Sequence, residues 1–151
     1  METATTMNKT IEKFGYPDTL LGEYDHWVVL LRPGQITAGC MVLACKEEAE
    51  RLPDVSAEAY GELPRVTGDL EAALSSSFEP QKKMNYILLM MVDKYVHWHV
   101  IPRYDSPREM GGVTFEDSGW PRYPAMSDAT TLSDTQFLEL NNLLRANWPE
   151  A

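Results

Sequence analysis

Between Val96 and Tyr104 the chain reads Val-His-Trp-His-Val-Ile-Pro-Arg-Tyr, and this run limits the possible folds more than any other stretch. Successive side chains on a β-strand point to opposite faces. Tyr95, His97 and His99 then share one face, and Val96, Trp98 and Val100 share the other. A wholly apolar face must lie against a core. Two imidazoles on the opposite face, about 6.5 Å apart at Cα, make a platform for chemistry near neutral pH. A half-exposed strand with solvated histidines fits the same alternation.

The flanking sequence supplies the rest of a sheet. Trp27-Val28-Val29-Leu30-Leu31 predicts a buried strand, Arg32-Pro33-Gly34-Gln35 a turn, and Met41 to Ala44 a second strand. The short connection favours an antiparallel hairpin. From Ala57 to Phe78, Leu63, Val66, Leu70, Ala73 and Leu74 recur on one helical face, with Ser56 or Asp54 able to cap it and Pro64 expected to kink it or to open a second helical segment. Met84 to Val92 is almost continuously apolar and predicts a third strand, joined to the histidine strand by a tight turn at Asp93-Lys94. Ser133 can cap a last helix carrying Phe137, Leu138, Leu140, Leu143 and Leu144. Residues 1–15 are polar and read as a flexible arm, and 16–151 as a single domain. Within it, 105–132 reads as a long irregular segment that covers a site or a partner. The order predicts an α+β fold: one antiparallel sheet of about five strands, packed by one long and one C-terminal helix.

Charge narrows the function classes. A formal net charge of −10 argues against a general nucleic-acid binder, which carries a basic footprint, but leaves room for a small anionic substrate in a locally positive pocket. Cys40 and Cys45 would face opposite sides of a strand, so two reduced thiols are expected rather than a disulfide. Met1 to Lys13 lacks the apolar stretch of a secretion signal, and no segment nears the roughly 20 apolar residues that span a bilayer. A cytoplasmic protein is expected.

The run from Tyr95 to Arg103 resembles the signature of the histidine triad (HIT) family, in which three histidines alternate with apolar residues and are often followed by an apolar pair, Pro and Arg. The strand to Leu31, the turn at Thr37-Ala38-Gly39, the strand from Met41, the long helix and Met84-Asn85-Tyr86 resemble that family too, so the likeness runs from about Tyr24 to Tyr104. The resemblance implies a HIT-like fold and a nucleotide phosphohydrolase or nucleotidyl transferase. Such an enzyme acts at the α-phosphate of a dinucleoside polyphosphate or nucleoside phosphoramidate through a nucleotidyl-histidine intermediate. It places His97 as nucleophile and His99 as the third triad histidine, needs no cofactor and no catalytic metal, and implies a homodimer with a small nucleotide, not nucleic acid or membrane, as partner. Tyr95 is the third catalytic candidate. Asn85 and Arg103 are the candidates for holding substrate, although Arg103 equally suits pairing with an acid.

Three departures from the pattern bear on activity. Tyr95 stands where the leading histidine belongs. The Gly- and Gln-containing loop before the triad is replaced by Leu88-Leu89-Met90-Met91-Val92-Asp93-Lys94. The Gly-His pair of the first hairpin is Gly39-Cys40. A catalytically weak or inactive nucleotide-binding protein is therefore the alternative. A metal site is a third, with the two histidines joined by Asp93, Asp25 or His26.

Overall fold

The polar start of the chain folds around one buried apolar residue. The computed structural model describes residues 6–149, and its first element is a short helix, α1 (Lys9–Lys13). The Asn8 side chain caps it by accepting from the Ile11 amide at 3.0 Å and donates at 2.9 Å to the Cys45 carbonyl. Ile11 is fully buried. This corrects the expectation of a flexible arm over 1–15 for residues 8–15, while residues 1–5 lie outside the described residues. Five residues are too few for a helical period to show, so the cap and the single buried isoleucine were the only signals.

Strands β1 (Leu20–Glu23), β2 (Trp27–Leu31), β3 (Gly34–Gln35) and β4 (Met41–Cys45) follow, then helix α2 (Ala57–Phe78), β5 (Lys83–Leu88) and β6 (His97–Arg103). The segment 105–132 carries a small hairpin, β7 (Arg108–Met110) and β8 (Val113–Phe115), and a two-residue strand, β9 (Thr130–Thr131), paired with β3. It is therefore only partly irregular. Helix α3 (Asp134–Ala146) closes the fold, with Ser133 and Gln136 forming a capping box.

The main sheet has the order β1-β2-β4-β6-β5, antiparallel throughout. The expected β2–β4 hairpin pairs Trp27 with Cys45 and Leu31 with Met41. Paired residues share a face. Trp27, Val29, Leu31, Met41, Leu43, Trp98, Val100 and Tyr86 form the face toward the helices, where the buried Val66, Leu70 and Leu74 of α2 and Leu140 and Leu144 of α3 meet them. The Trp27 indole N–H donates to the Ala59 carbonyl of α2 at 2.7 Å, fixing that helix across the sheet. Gly39 turns the chain between β3 and β4 at φ +89°, and a Cβ there would run into Leu74 Cδ2 of α2.

Two local expectations change. Helix α2 runs through Pro64 as one element. Pro64 is exposed, so the i−4 carbonyl it leaves free, that of Tyr60, also lies on the solvent side, where water can satisfy it. Strand β5 stops at Leu88, and Leu89 to Tyr95 form an extended loop rather than the expected tight turn. Met91 is 86% and Val92 83% exposed. Lys13 holds this loop to α1 through Asp93 at 2.8 Å.

Candidate active site

The opposite sheet face carries the histidines. On β6 it presents His97, His99, Ile101 and Arg103; on β4 Val42 and Ala44, which pair with His99 and His97; on β2 Val28 and Leu30; and on β5 Asn85 and Ile87. The two imidazoles lie side by side, ring centroids 5.3 Å apart. His97 Nδ1 is 2.7 Å from the Tyr95 carbonyl oxygen. A carbonyl only accepts, so Nδ1 carries a proton, and in the neutral ring Nε2 holds the lone pair. That is the tautomer a nucleophilic imidazole needs.

Tyr95 does not join the pair. Strand β6 begins at His97, and the Tyr95 hydroxyl donates to Glu48 Oε2 at 2.9 Å rather than to an imidazole. The Glu48 carboxylate raises the phenol's pKa, so Tyr95 is neutral at pH 7. Its contribution to the pair is the backbone carbonyl that orients His97.

Phe14, one residue past α1, covers both rings at 5.3 Å from His97 and 5.9 Å from His99. His97 is only 1% exposed beneath it. The rings share a face, as the alternation requires, but an aromatic side chain rather than solvent lies over them. Phe14 sits there because α1 is anchored by Asn8 to β4, and because Thr10 Oγ1 accepts from the Tyr95 amide at 3.3 Å. The covering residue was missed in the sequence because it follows a helix too short to announce itself.

His99 is partly buried and its pKa is lowered to about 4, first by burial and then by the positive charge of Arg32. It is therefore neutral at pH 7 and does not provide the proton-donating imidazolium that a division of labour between two histidines would require. The shift also acts on stability. The unfolded chain protonates this imidazole near its ordinary value, whereas the fold resists until about pH 4. His99 thus contributes no penalty above the unfolded pKa, and stability is lost as pH falls through that window. The full shift corresponds to about 3 kcal/mol, and partial solvation reduces it to about 1–2 kcal/mol. Urea unfolding at pH 7 and at pH 4.5 checks this. Wild type is expected to lose about 1–2 kcal/mol more than His99→Gln on acidification.

The substrate candidates sit further along the same face. Arg103 Nε and Nη2 donate to the two carboxylate oxygens of Asp117 at 2.7 and 3.1 Å, and Nη1 donates to Asn85 Oδ1 at 2.8 Å. Asp117 also accepts from the Tyr104 amide at 3.1 Å. Arg103 therefore pairs with an acid, but a buried one, and Asn85 is held with its amide nitrogen left to donate. Both residues line an open groove of about 620 Å³ with Lys83, Trp120, Arg122 and Tyr123. The Arg103 guanidinium lies 6.0 Å from the Trp120 ring centre. Ile87, which pairs with His99 across β5 and β6, also lines the groove; neither imidazole does. Among the described residues, no group of three His, Cys, Asp or Glu side chains is placed to hold a metal ion. His26 lies near Glu47, at 3.7 Å.

No family model and no curated protein matches this chain. Solved structures do. A histidine triad protein from Sinorhizobium meliloti 1021 superposes with a TM-score of 0.71 at 16% identity, covering 95% of this chain and 97% of its own. A histidine triad protein from Bradyrhizobium japonicum gives 0.69 at 15% identity over the same shares. The chain has the histidine triad fold. A hypothetical histidine triad nucleotide-binding protein from Sulfolobus tokodaii gives 0.64 at 15% identity, over 85% of this chain and 82% of its own. The HIT fold accounts for a sheet that turns one face to two helices and leaves the histidine face to be covered by α1 and by the 105–132 segment. No helix among the described residues is long and apolar enough to cross a membrane.

Proposed function

We propose that this HIT-fold chain is a nucleotide phosphohydrolase or nucleotidyl transferase in which His97 is the nucleophile. The observation that carries this reading is the bond between His97 Nδ1 and the Tyr95 carbonyl, which in the neutral ring leaves the lone pair on Nε2, on the sheet face that also carries Asn85 and Arg103 of the groove. Nε2 attacks the α-phosphorus of a dinucleoside polyphosphate or nucleoside phosphoramidate. A P–N bond forms, and the bond to the leaving group breaks with its electron pair. Water then attacks the phosphorus, the P–N bond breaks, and the imidazole returns to its resting tautomer. Neither neighbour supplies an acid near pH 7, since His99 titrates at about 4 and the Tyr95 phenol is raised. This favours leaving groups that depart as their own anions, such as a nucleoside polyphosphate, over amines that must be protonated. Tyr95 replaces the leading histidine of the HIT signature and acts through its carbonyl. Asn85 and Arg103 hold the substrate from the groove, Asn85 directly by its amide and Arg103 by fixing that amide.

The same reading makes the chain a cytoplasmic homodimer with a small nucleotide, not nucleic acid or membrane, as its partner. The net charge of −10 favours a small anion over nucleic acid, and the groove gathers Lys83, Arg103 and Arg122 to receive one.

A second reading is a nucleotide-binding HIT-fold protein with little turnover. It is favoured by Phe14 over both imidazoles and by the apolar Leu89, Met91 and Val92 in the loop before the histidines. Hydrolysis of diadenosine polyphosphates and adenosine phosphoramidate by wild type and by His97→Asn separates the two. Product formation that depends on His97 supports the enzyme. Nucleotide binding without product supports the binding protein.

A further inference from the structure

A second cation stands on the histidine face, outside the groove. Arg32 follows the last residue of β2 and continues its ladder, its amide donating to the Cys40 carbonyl at 3.1 Å. Val28 and Leu30 face the histidine side, and Arg32, two residues on, shares it. Cys40 and Ile101 pack in one cluster on that side, so Arg32, Cys40 and Ile101 form a row directly beside the row Leu30, Val42 and His99. Two strand spacings across and two residues along, about 12 Å in all, separate the backbones of Arg32 and His99, a distance that an extended arginine and an imidazole together cover.

Both side chains carry an unsatisfied group. Among the described residues, three buried side-chain polar atoms lack a hydrogen-bond partner: Arg32 Nη1, His99 Nδ1 and Asn141 Nδ2. Two of these three therefore lie in adjacent rows of one sheet face. A guanidinium is always charged and only donates. A buried donor without an acceptor is costly, and more so when it is charged. The chain has 23 acidic residues against 13 basic ones, yet none of the ion pairs among the described residues includes Arg32.

We propose that Arg32 is a recognition residue for an anionic oxygen of the ligand, on a phosphate or phosphate ester, with the neutral His99 ring donating to the same group. The guanidinium supplies the charge and the imidazole supplies a second donor. The Arg32 charge already reaches this ring, as the second cause of its lowered pKa. It also reaches the Cys40 thiol, the neighbour of Arg32 across the β2–β4 ladder. The identity of the ligand as a nucleotide rests on the reading above, whereas the anion-binding role of Arg32 does not.

Calorimetric titration of the full chain with adenosine monophosphate, adenosine and inorganic phosphate tests this, using wild type, Arg32→Gln and Arg32→Lys. Arg32→Gln is expected to weaken adenosine monophosphate by about ten-fold or more, because a charge-assisted bond is lost. Arg32→Lys should recover part of that loss, and adenosine should bind all three proteins alike. Arg32-dependent binding of inorganic phosphate alone also supports the inference and assigns the site to a free anion. Equal affinity of wild type and Arg32→Gln for adenosine monophosphate overturns it. So does a parallel loss for adenosine, which marks a packing role, or a wild type that binds neither phosphate compound. The outcome is separable from the His97 reading. Arg32-dependent binding with His97-independent hydrolysis removes the nucleophile and keeps the anion site, and the converse removes only the anion site.

Discussion

Asp117→Ala is expected to cost about 3–5 kcal/mol of folding stability, because it leaves the Arg103 guanidinium buried without a counter-charge. Arg103 is 5% and Asp117 1% exposed at the side chain, so water cannot take over the lost bonds. The carboxylate accepts two N–H groups of Arg103 and the Tyr104 amide, and all three acceptor contacts go at once. For a chain of this length the loss is a fall in melting temperature of roughly 10 °C. Asp117→Asn keeps the shape and one acceptor and should fall between the two. Replacing Arg103 and Asp117 together by apolar residues should recover much of the loss, since no buried charge then remains. The same change should reach the groove. Arg103 orients Asn85 and lies against Trp120, so Asp117→Ala is expected to weaken ligand binding there as well.

His97→Asn should lower turnover of a dinucleoside polyphosphate by about 10³-fold or more, the scale for removing a covalent nucleophile. Asparagine fits the small space beneath Phe14 and keeps a polar end near the Tyr95 carbonyl, so the fold should persist. KM should change little, because the substrate is held by the groove and not by the attacking nitrogen. Phe14 is expected to limit that rate. With His97 1% exposed, the ring must swing aside before phosphorus can approach Nε2, so wild-type turnover is expected to be slow even with the nucleophile in the right tautomer.

The histidine strand shows what the sequence could reveal. The alternation of His97, Trp98, His99 and Val100 placed both imidazoles on one face without any knowledge of the neighbouring strands, because a strand's period is two. The spacing of Val66, Leu70 and Leu74 likewise located α2 and its buried side. Where the sheet ends was not legible. Met84 to Val92 is apolar except at Asn85, yet only Lys83 to Leu88 find partners on β6; composition says which residues prefer a strand and not where the neighbouring backbone runs out. Phe14, Asp117 and Arg32 escaped for a related reason. Phe14 and Asp117 lie in short or irregular segments and meet the histidine face only through tertiary packing, and Arg32 stands just past β2, where turn residues begin. Arg32 alone left a trace, as the polar residue two positions beyond Leu30 in an apolar run. Read with the β2 register, that spacing would have put a cation on the histidine side.

The most direct test of a nucleophilic His97 is its covalent adduct. Mixing the protein with diadenosine polyphosphate, quenching the reaction within a turnover under conditions that preserve phosphoramidates, and mapping the mass of each peptide should find adenylate on the segment holding His97. The same adduct should be absent from His97→Asn. Product formed with no mass gain on that segment, or the same adduct on the variant, would contradict the account.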